Sequence, residues 1–448
     1  MLNTGASLLR RPTESSRGCR SVFAIFPTGP DASASGRFYV PATRQPLPMN
    51  PTVRSLTSDR RDEALDVTDR AFDDTPRDYF QRHQSADPNW DVSQSLVVDD
   101  GGAIVGHLWI ADRAMRYGEA RVRFGGIADV AVDPAHRGRG HAGRLLDAAV
   151  QRMQADDQPL SLLSTGAPEV YAGRGWHPVP TSQLEAEFPS GDIEWAGGYV
   201  VRSFEAADLP AVMGIYADIA ADRIGPLDRS EAYWLALMDW LPALSRGADV
   251  HFDVLVQVRS VVAYAVTELS DDTLTILDGG IQSENLAIPL LNVWRDRAAA
   301  RGVTRLTGEL HPASELFDLL RKRASATLKP TRHYMARLNS LHGALKSVVP
   351  EFIRRRRRMA PLPGPAFVLN VDGEAARIET PMVQVVIAEP VGNEPVVELT
   401  SGQFLDLYLG LPGGYQALDA LDIPPHVDVY LRRLFPNSPF MYWRADRF

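Results

Sequence analysis

Ile127-Ala-Asp-Val-Ala-Val-Asp-Pro-Ala-His-Arg-Gly-Arg-Gly-His-Ala-Gly-Arg-Leu-Leu146 sets four kinds of local structure side by side. An apolar, β-branched run ends at Val132, and the pair Asp133-Pro134 breaks it. A loop follows with glycines at 138, 140 and 143 and arginines at 137, 139 and 144, and an amphipathic helical pattern starts from that loop. The first N–H groups of a helix have no intrahelical partner, and the helix dipole places partial positive charge there. Gly138 and Gly140 let the backbone come close to a ligand, and Arg137, Arg139 and Arg144 add charge. Together these features predict a cradle for phosphate oxygens.

Working outward, Val53–Leu56 reads as a strand and Asp62–Phe72 as a helix. Ser95–Val98 and Ala103–Ile110 form a hairpin across Asp99-Asp-Gly-Gly102, and Arg121–Val132 continues the meander. After the loop come a helix at Arg139–Met153, a strand at Pro159–Ser164 and a short helix from Pro168 that stops at Gly173–Gly175. This order bears on a competing reading. Gly138-x-Gly140-x-x-Gly143 formally matches the dinucleotide fingerprint, which requires glycines at the immediate end of a βαβ strand and an acid at the end of the next strand. Here Asp133–Arg137 separates strand from glycine, the strand belongs to a meander, and Asp156 and Asp157 precede the next strand. A dinucleotide fold is therefore set aside.

Arg137-Gly-Arg-Gly140-His-Ala142 fits R-x-x-G-x-A and resembles the pyrophosphate loop of the GNAT superfamily of N-acetyltransferases, as do the strand order before it and Tyr171-x-x-x-Gly175-Trp176 after it. The resemblance implies that acetyl-CoA is the cosubstrate. It also implies that the strand around Asp129–Val132 splays from its neighbour to take the pantetheine arm through Val130, Ala131 and Val132. Arg137, Gly138, Arg139, Gly140, His141 and Ala142 would then hold the diphosphate. Tyr171 falls where the family places the acid that protonates the departing thiolate.

The likeness covers nearly everything after Met49. A second unit repeats the order: strand Tyr199–Phe204, helix Leu209–Ile219, strands Phe252–Val258, Val261–Leu269 and Leu274–Ile281, helix Leu286–Ala300 and strand Arg305–Leu310. Its junction, Ile276-Leu-Asp-Gly-Gly-Ile-Gln-Ser-Glu-Asn285, lacks the arginine and the second spaced glycine, so it should not bind coenzyme. A third unit starts near Met335 with a helix at Leu341–Val348, strands at Ala366–Val371, Ala376–Ile378 and Val383–Ile387, and a helix at Ser401–Leu409. It resembles sterol carrier proteins. Taken together, the chain resembles the Eis (enhanced intracellular survival) family of N-acetyltransferases. The expected fold is α+β, with mixed α/β units: a disordered extension over 1–50, a catalytic GNAT domain over 51–197, a degenerate GNAT-like domain over 198–334 and a sterol-carrier-like domain over 335–448.

Eis-like chains end in a phenylalanine whose α-carboxylate acts as base, which points to Phe448. The apolar tail Phe440-Met-Tyr-Trp-Arg-Ala-Asp-Arg-Phe448 favours docking over fraying, and Arg447 is expected to bring a positive charge to the site. Phe72, Asp73, Asp74 and Asp129 border the expected acceptor pocket, with Tyr79 and Phe80 as walls; carboxylates among aromatics suit a primary amine. The resemblance implies aminoglycoside-type polyamines. Protein or peptide lysines are the alternative acceptor, and a non-catalytic lipid- or acyl-CoA-binding protein is the alternative function. It also implies a homo-hexamer.

Composition sets outer limits. The 448 residues correspond to roughly three domains. A net charge of −9 disfavours a nucleic-acid partner, and no apolar run approaches the roughly 18 residues of a membrane span. A single cysteine, Cys19, excludes an intrachain disulfide and a thiolate metal cluster and fits a cytoplasmic protein; no metal motif is present. The segment before Pro51 carries Arg10, Arg11, Arg17 and Arg20 against Glu14, and it reads as an unfolded extension rather than a targeting peptide. Arg354–Arg358 reads as a solvated helix end or a subunit salt-bridge surface rather than a nucleic-acid contact.

Overall fold

The computed structural model describes residues 51–191, 193–195, 197–244, 249–359, 364–438 and 440–447, so the expected 1–50 extension, Cys19 and Phe448 lie outside the described residues. The first unit opens with β1 (Thr52–Ser55), α1 (Arg61–Ala71) and α2 (Arg77–Ala86), then the meander β2 (Ser95–Asp100), β3 (Ala103–Tyr117) and β4 (Ala120–Val132). Helix α3 (His141–Ala155) follows, buries Leu145, Leu146, Ala149 and Met153 along one face, and leads to β5 (Leu160–Ser164), α4 (Glu169–Ala172) and β6 (His177–Glu187). That spacing is the helical repeat read from the sequence.

The second unit runs β7 (Tyr199–Ser203), α5 (Leu209–Ala220), β8 (Ile224–Leu227), α6 (Glu231–Leu244), β9 (Asp249–Gln257), β10 (Ser260–Leu269) and β11 (Thr273–Gly280). It continues with α7 (Glu284–Ala299), β12 (Arg305–Glu309), α8 (Glu315–Arg323) and β13 (Thr327–Leu338). The third comprises α9 (Leu341–Ser347), α10 (Val349–Arg357), β14 (Ala366–Val371), β15 (Glu374–Glu379), β16 (Val386–Ala388), β17 (Val396–Leu399), α11 (Ser401–Tyr408), α12 (Pro412–Asp419) and α13 (Pro425–Leu434). The architecture is mixed α+β, as the sequence indicated.

The strands of the first two units join one sheet in the order β1-β2-β3-β4-β5-β13-β6-β12-β11-β10-β9-β7, with β8 paired to β3. Read from either end, the order is nearly the same: a meander, a parallel pair, then the final strand of the opposite unit. β6 pairs with β12, and β13 pairs with β5 and β6. The two units therefore exchange their last strands, and β13 runs straight through the boundary expected at 334/335. Short-range patterning could not show this, because β5 and β13 are antiparallel neighbours far apart in the chain.

One apolar core passes through all three units and includes Phe124, Trp234, Trp294, Phe352, Phe404 and Tyr408. At the junction of the third unit with the β3–β4 turn, the wholly buried Glu351 carboxylate accepts from Arg354 Nε at 2.6 Å, Arg355 Nε at 2.5 Å and the Glu119 backbone N–H at 3.1 Å. The expectation that Arg354–Arg358 is solvated is corrected here: Arg354 and Arg355 fold back onto Glu351, and Arg356 is completely buried over the Tyr430 ring. A charge run shows composition but not which arginine meets a buried acid. Removing one partner from a buried ionic cluster leaves the others unpaired. Glu351→Gln is therefore expected to cost about 3–5 kcal/mol of unfolding free energy, measured by urea denaturation. Arg357→Ala, on the exposed side of the same helix, should change it by less than about 0.5 kcal/mol.

Candidate active site

β4 and β5 run parallel and pair only at Phe124↔Leu160, Gly125↔Ser161 and Gly126↔Leu162, yet β4 continues to Val132. On its other side the register with β3 slips, since His107 faces Ala131 and Trp109 faces Ala128. Asp129 and Val130 thus stand opposite the single residue Leu108, a β-bulge, and Asp129 takes the left-handed conformation with φ 53°. A non-glycine residue holds that backbone only where its surroundings impose it. The bulge turns β4 away from β5, and the backbone from Ile127 to Val132 has no strand partner on the β5 side. A cleft opens there.

At the end of that cleft lies the glycine loop. Gly138 and Gly140 have φ 76° and 77°, and a Cβ placed on either meets no atom within 4 Å. Gly140 is the N-cap of α3 and offers no side-chain acceptor to the first N–H groups of the helix. An uncapped helix start beside two open glycines is an arrangement a phosphate group fits. Arg137 Nη2 donates to the Ala71 carbonyl at 3.0 Å, which ties the loop to the end of α1, while Arg139 and Arg144 are exposed. His141 is 2% exposed with neither ring nitrogen partnered, and burial followed by the charge of Arg144 lowers its pKa. Its contribution to an anion is its backbone N–H. Val130, Ala131 and Val132 lie on the unpaired stretch.

Tyr171 lies on α4, just beyond the C-terminal end of β5, edge-on to Trp176 at 6.2 Å. Burial, partly opposed by a hydrogen bond with Thr165, raises its phenol pKa to about 12. The group therefore stays protonated at neutral pH.

The Asp129 carboxylate accepts from Gln84 Nε2 at 2.9 Å, and burial raises its pKa to about 6 against that hydrogen bond. Around it stands an aromatic cluster: Phe72 and Phe80 at 5.3 Å, Tyr79 and Phe80 at 5.3 Å, and the His83 ring at 5.5 Å from Trp109 and 4.9 Å from Trp240. His83 is neutral at pH 7, its pKa pushed down to about 4 by burial and then by Arg113. Of the four expected acceptor residues, Phe72 and Asp129 belong to this wall; Asp73 and Asp74 are exposed on the turn between α1 and α2. His83, Gln84, Trp109 and Trp240 were not singled out from the sequence. The polar composition of α2 hides Gln84 and His83, whereas the apolar run of α6 was a usable signal for Trp240.

The tail is docked, with Phe440, Met441, Tyr442 and Trp443 buried. Arg447 pairs with Glu309 and its Nε donates to the Tyr334 hydroxyl at 2.9 Å, so the free positive charge expected of it is neutralised. Tyr334 faces Ser164 across the β13–β5 pairing, and the Thr165 N–H donates to the His333 carbonyl at 2.8 Å. The last described residue of the tail is thus anchored beside the strand end that carries Tyr171.

Residues 52–179 match the family described as Acetyltransferase (GNAT) domain. This stretch is a GNAT acetyltransferase domain. The chain that carries it is an N-acetyltransferase. The fold is similar to that of a GCN5-related N-acetyltransferase from Anabaena variabilis, at 19% identity and TM-score 0.69 over 89% of this chain and 100% of that one. It is also similar to a GCN5-related N-acetyltransferase from Kribbella flavida, at 20% identity and TM-score 0.66 over 89% and 98%. Eis1 from Mycobacterium abscessus superposes at 15% identity and TM-score 0.62 over 89% and 100%. At these identities the likeness shows the fold. No curated protein matches the chain.

The raised pKa of Asp129 has a consequence for stability. Between about pH 4 and pH 6 the folded chain keeps a proton that the unfolded chain has released, so this group's contribution to stability falls as pH rises through that window. Asp129→Asn is expected to stabilise the GNAT domain by about 1–3 kcal/mol at pH 7 and by nearly nothing at pH 4, read from thermal melts at the two pH values. At the same time it should raise the KM for the amine far more than that for acetyl-CoA.

Proposed function

We propose that the chain transfers the acetyl group of acetyl-CoA directly to primary amines of small polycations of the aminoglycoside type. The observation that carries this reading is the bulge at Asp129, which opens the cleft and presents a buried carboxylate at its wall. Bound acetyl-CoA supplies an activated acyl group. The unpaired backbone of Val130–Val132 would hold its amide arm, and the loop Arg137–Ala142 with the start of α3 its diphosphate. Asp129, ionised at neutral pH, and the rings of Phe72, Phe80 and Trp109 attract an ammonium group and orient it. Tyr171 gives its proton to the departing thiolate, and the α-carboxylate of Phe448 takes the proton released by the amine. Support for the last role is the anchoring of Arg447 next to β5.

The likeness of fold to Eis1, over 89% of this chain and 100% of that one, supports an Eis-type enzyme. The four-stranded sheet β16-β15-β14-β17 with α9 to α13 is compatible with a sterol-carrier-like third domain. Protein lysine is the second acceptor class; the Asp129 carboxylate, held by Gln84, is offered to a small molecule in preference to a chain.

A thiol-release assay with acetyl-CoA and a panel of aminoglycosides, linear polyamines and lysine peptides tests the substrate class. Highest kcat/KM is expected on aminoglycosides, and turnover confined to lysine peptides would overturn that choice. Tyr171→Phe is expected to lower kcat by roughly 10²-fold with acetyl-CoA affinity unchanged in calorimetry. A peptide tag added after Phe448 should have the same pattern, and a tagged enzyme with normal kcat would remove the terminal carboxylate from the mechanism.

A further inference from the structure

The second unit carries a counterpart of Asp129. Ile127-Ala-Asp129 in β4 corresponds to Ile276-Leu-Asp278 in β11. β11 pairs with the parallel β12 only as far as Ile276↔Gly308, and its register with β10 slips where Val266 faces Asp278 and Thr267 faces Ile276. The second unit therefore repeats the strand divergence of the first, with a carboxylate just past it. No glycine–arginine loop stands at its mouth. Asp278, wholly buried, instead meets Arg229 with Nη1–Oδ2 at 2.5 Å.

Arg229 reaches further, to the tail. Its Nε and Nη2 donate to Asp446 Oδ1 and Oδ2 at 2.9 and 2.7 Å, and its guanidinium lies over the Tyr216 ring at 4.3 Å and over the Trp234 ring at 4.4 Å. The Tyr233 hydroxyl adds a contact to Asp446 at 3.3 Å, and the turn Arg444–Asp446 packs against β11. Two further contacts index the same segment. The Met441 N–H donates to the Ile224 carbonyl at 2.9 Å, and a Cβ on Gly225, whose φ is 110°, would come within 2.3 Å of the Met441 oxygen. The Tyr442 hydroxyl closes the turn on the Asp446 carbonyl at 2.8 Å.

We propose that the divergent site of the second unit is a receptor for the chain's own tail. Arg229, held between Asp278 and Asp446, is a positioning residue that fixes the tail's register and thereby the reach of residue 448 into the GNAT site. The inference rests on the catalytic role given to Phe448 above. Apolar packing of Phe440 to Trp443 supplies attraction without direction, and a slip of one residue would move the chain end by about 3.5 Å, outside the range of a proton-transferring hydrogen bond. A buried ion pair adds little stability over an apolar plug of the same volume, but it tolerates a single alignment.

The test is a double-mutant cycle on the full chain: wild type, Asp446→Asn, deletion of Phe448, and both changes together. kcat would be measured with the best amine of the panel and acetyl-CoA affinity by calorimetry. Asp446→Asn is expected to lower kcat by at least about tenfold with acetyl-CoA affinity within about twofold. In the chain lacking Phe448 the same substitution should change kcat by less than about twofold, because the group it positions is gone. An equal loss in both backgrounds overturns the positioning role. If deletion of Phe448 alone leaves kcat intact, the carboxylate assignment itself fails. Should Asp446→Asn not yield folded protein, Tyr442→Phe, which removes the bond to the Asp446 carbonyl, enters the same cycle and is read by the same criteria.

Discussion

The parting of β4 from β5 after Gly126 is the constraint on which the site depends. A parallel pair that kept its ladder would satisfy the backbone of Ile127–Val132 internally and leave no donors or acceptors for a ligand. The bulge at Asp129 breaks the ladder at a defined point and accepts a left-handed aspartate as its cost. The same residue turns a carboxylate into the cleft wall, where burial raises its pKa. Backbone strain, an open ladder and a perturbed acid thus coincide at one position, a combination that marks functional sites more often than structural ones.

Exchange of β6 and β13 ties the first two units into one sheet. β13 closes the free edge of β5, so the GNAT sheet is incomplete without the chain that follows it. Through Tyr334 and His333, β13 also links the tail to the segment that carries Tyr171. The catalytic unit is consequently built from three parts of the sequence.

What could be read from the residues follows from range. The glycine–arginine loop, the meander and α3 are local patterns found in their expected order, with α3 starting at His141 rather than Arg139 and β3 running past the expected Ile110 to Tyr117. The composition of the tail was enough to expect docking, because four aromatics in nine residues are poorly placed in water. Pairings over long separations were not legible. Nothing near Arg447 identifies Glu309 as its partner, and nothing in Arg354–Arg358 shows that Arg356 is the buried member. Asp73 and Asp74 were singled out for charge and proximity in sequence to Phe72, whereas Gln84, inconspicuous in a polar helix, is the side chain that holds Asp129.

The arginines that fix the tail are compensated: Arg229 lies against both Asp278 and Asp446, and Arg447 pairs with Glu309. Burial first and then Arg113, itself paired with Asp87, keep the His83 imidazole neutral. With these arginines compensated and His83 uncharged, the Asp129 carboxylate is the unpaired charge on the acceptor wall described here. In a partly desolvated pocket such a charge attracts an ammonium group far more strongly than it would in water. The acidic net charge of the chain acts in the same direction at long range. The glycine loop at the start of α3 has the opposite sign, set by the exposed Arg139 and Arg144 and by the helix N-terminus.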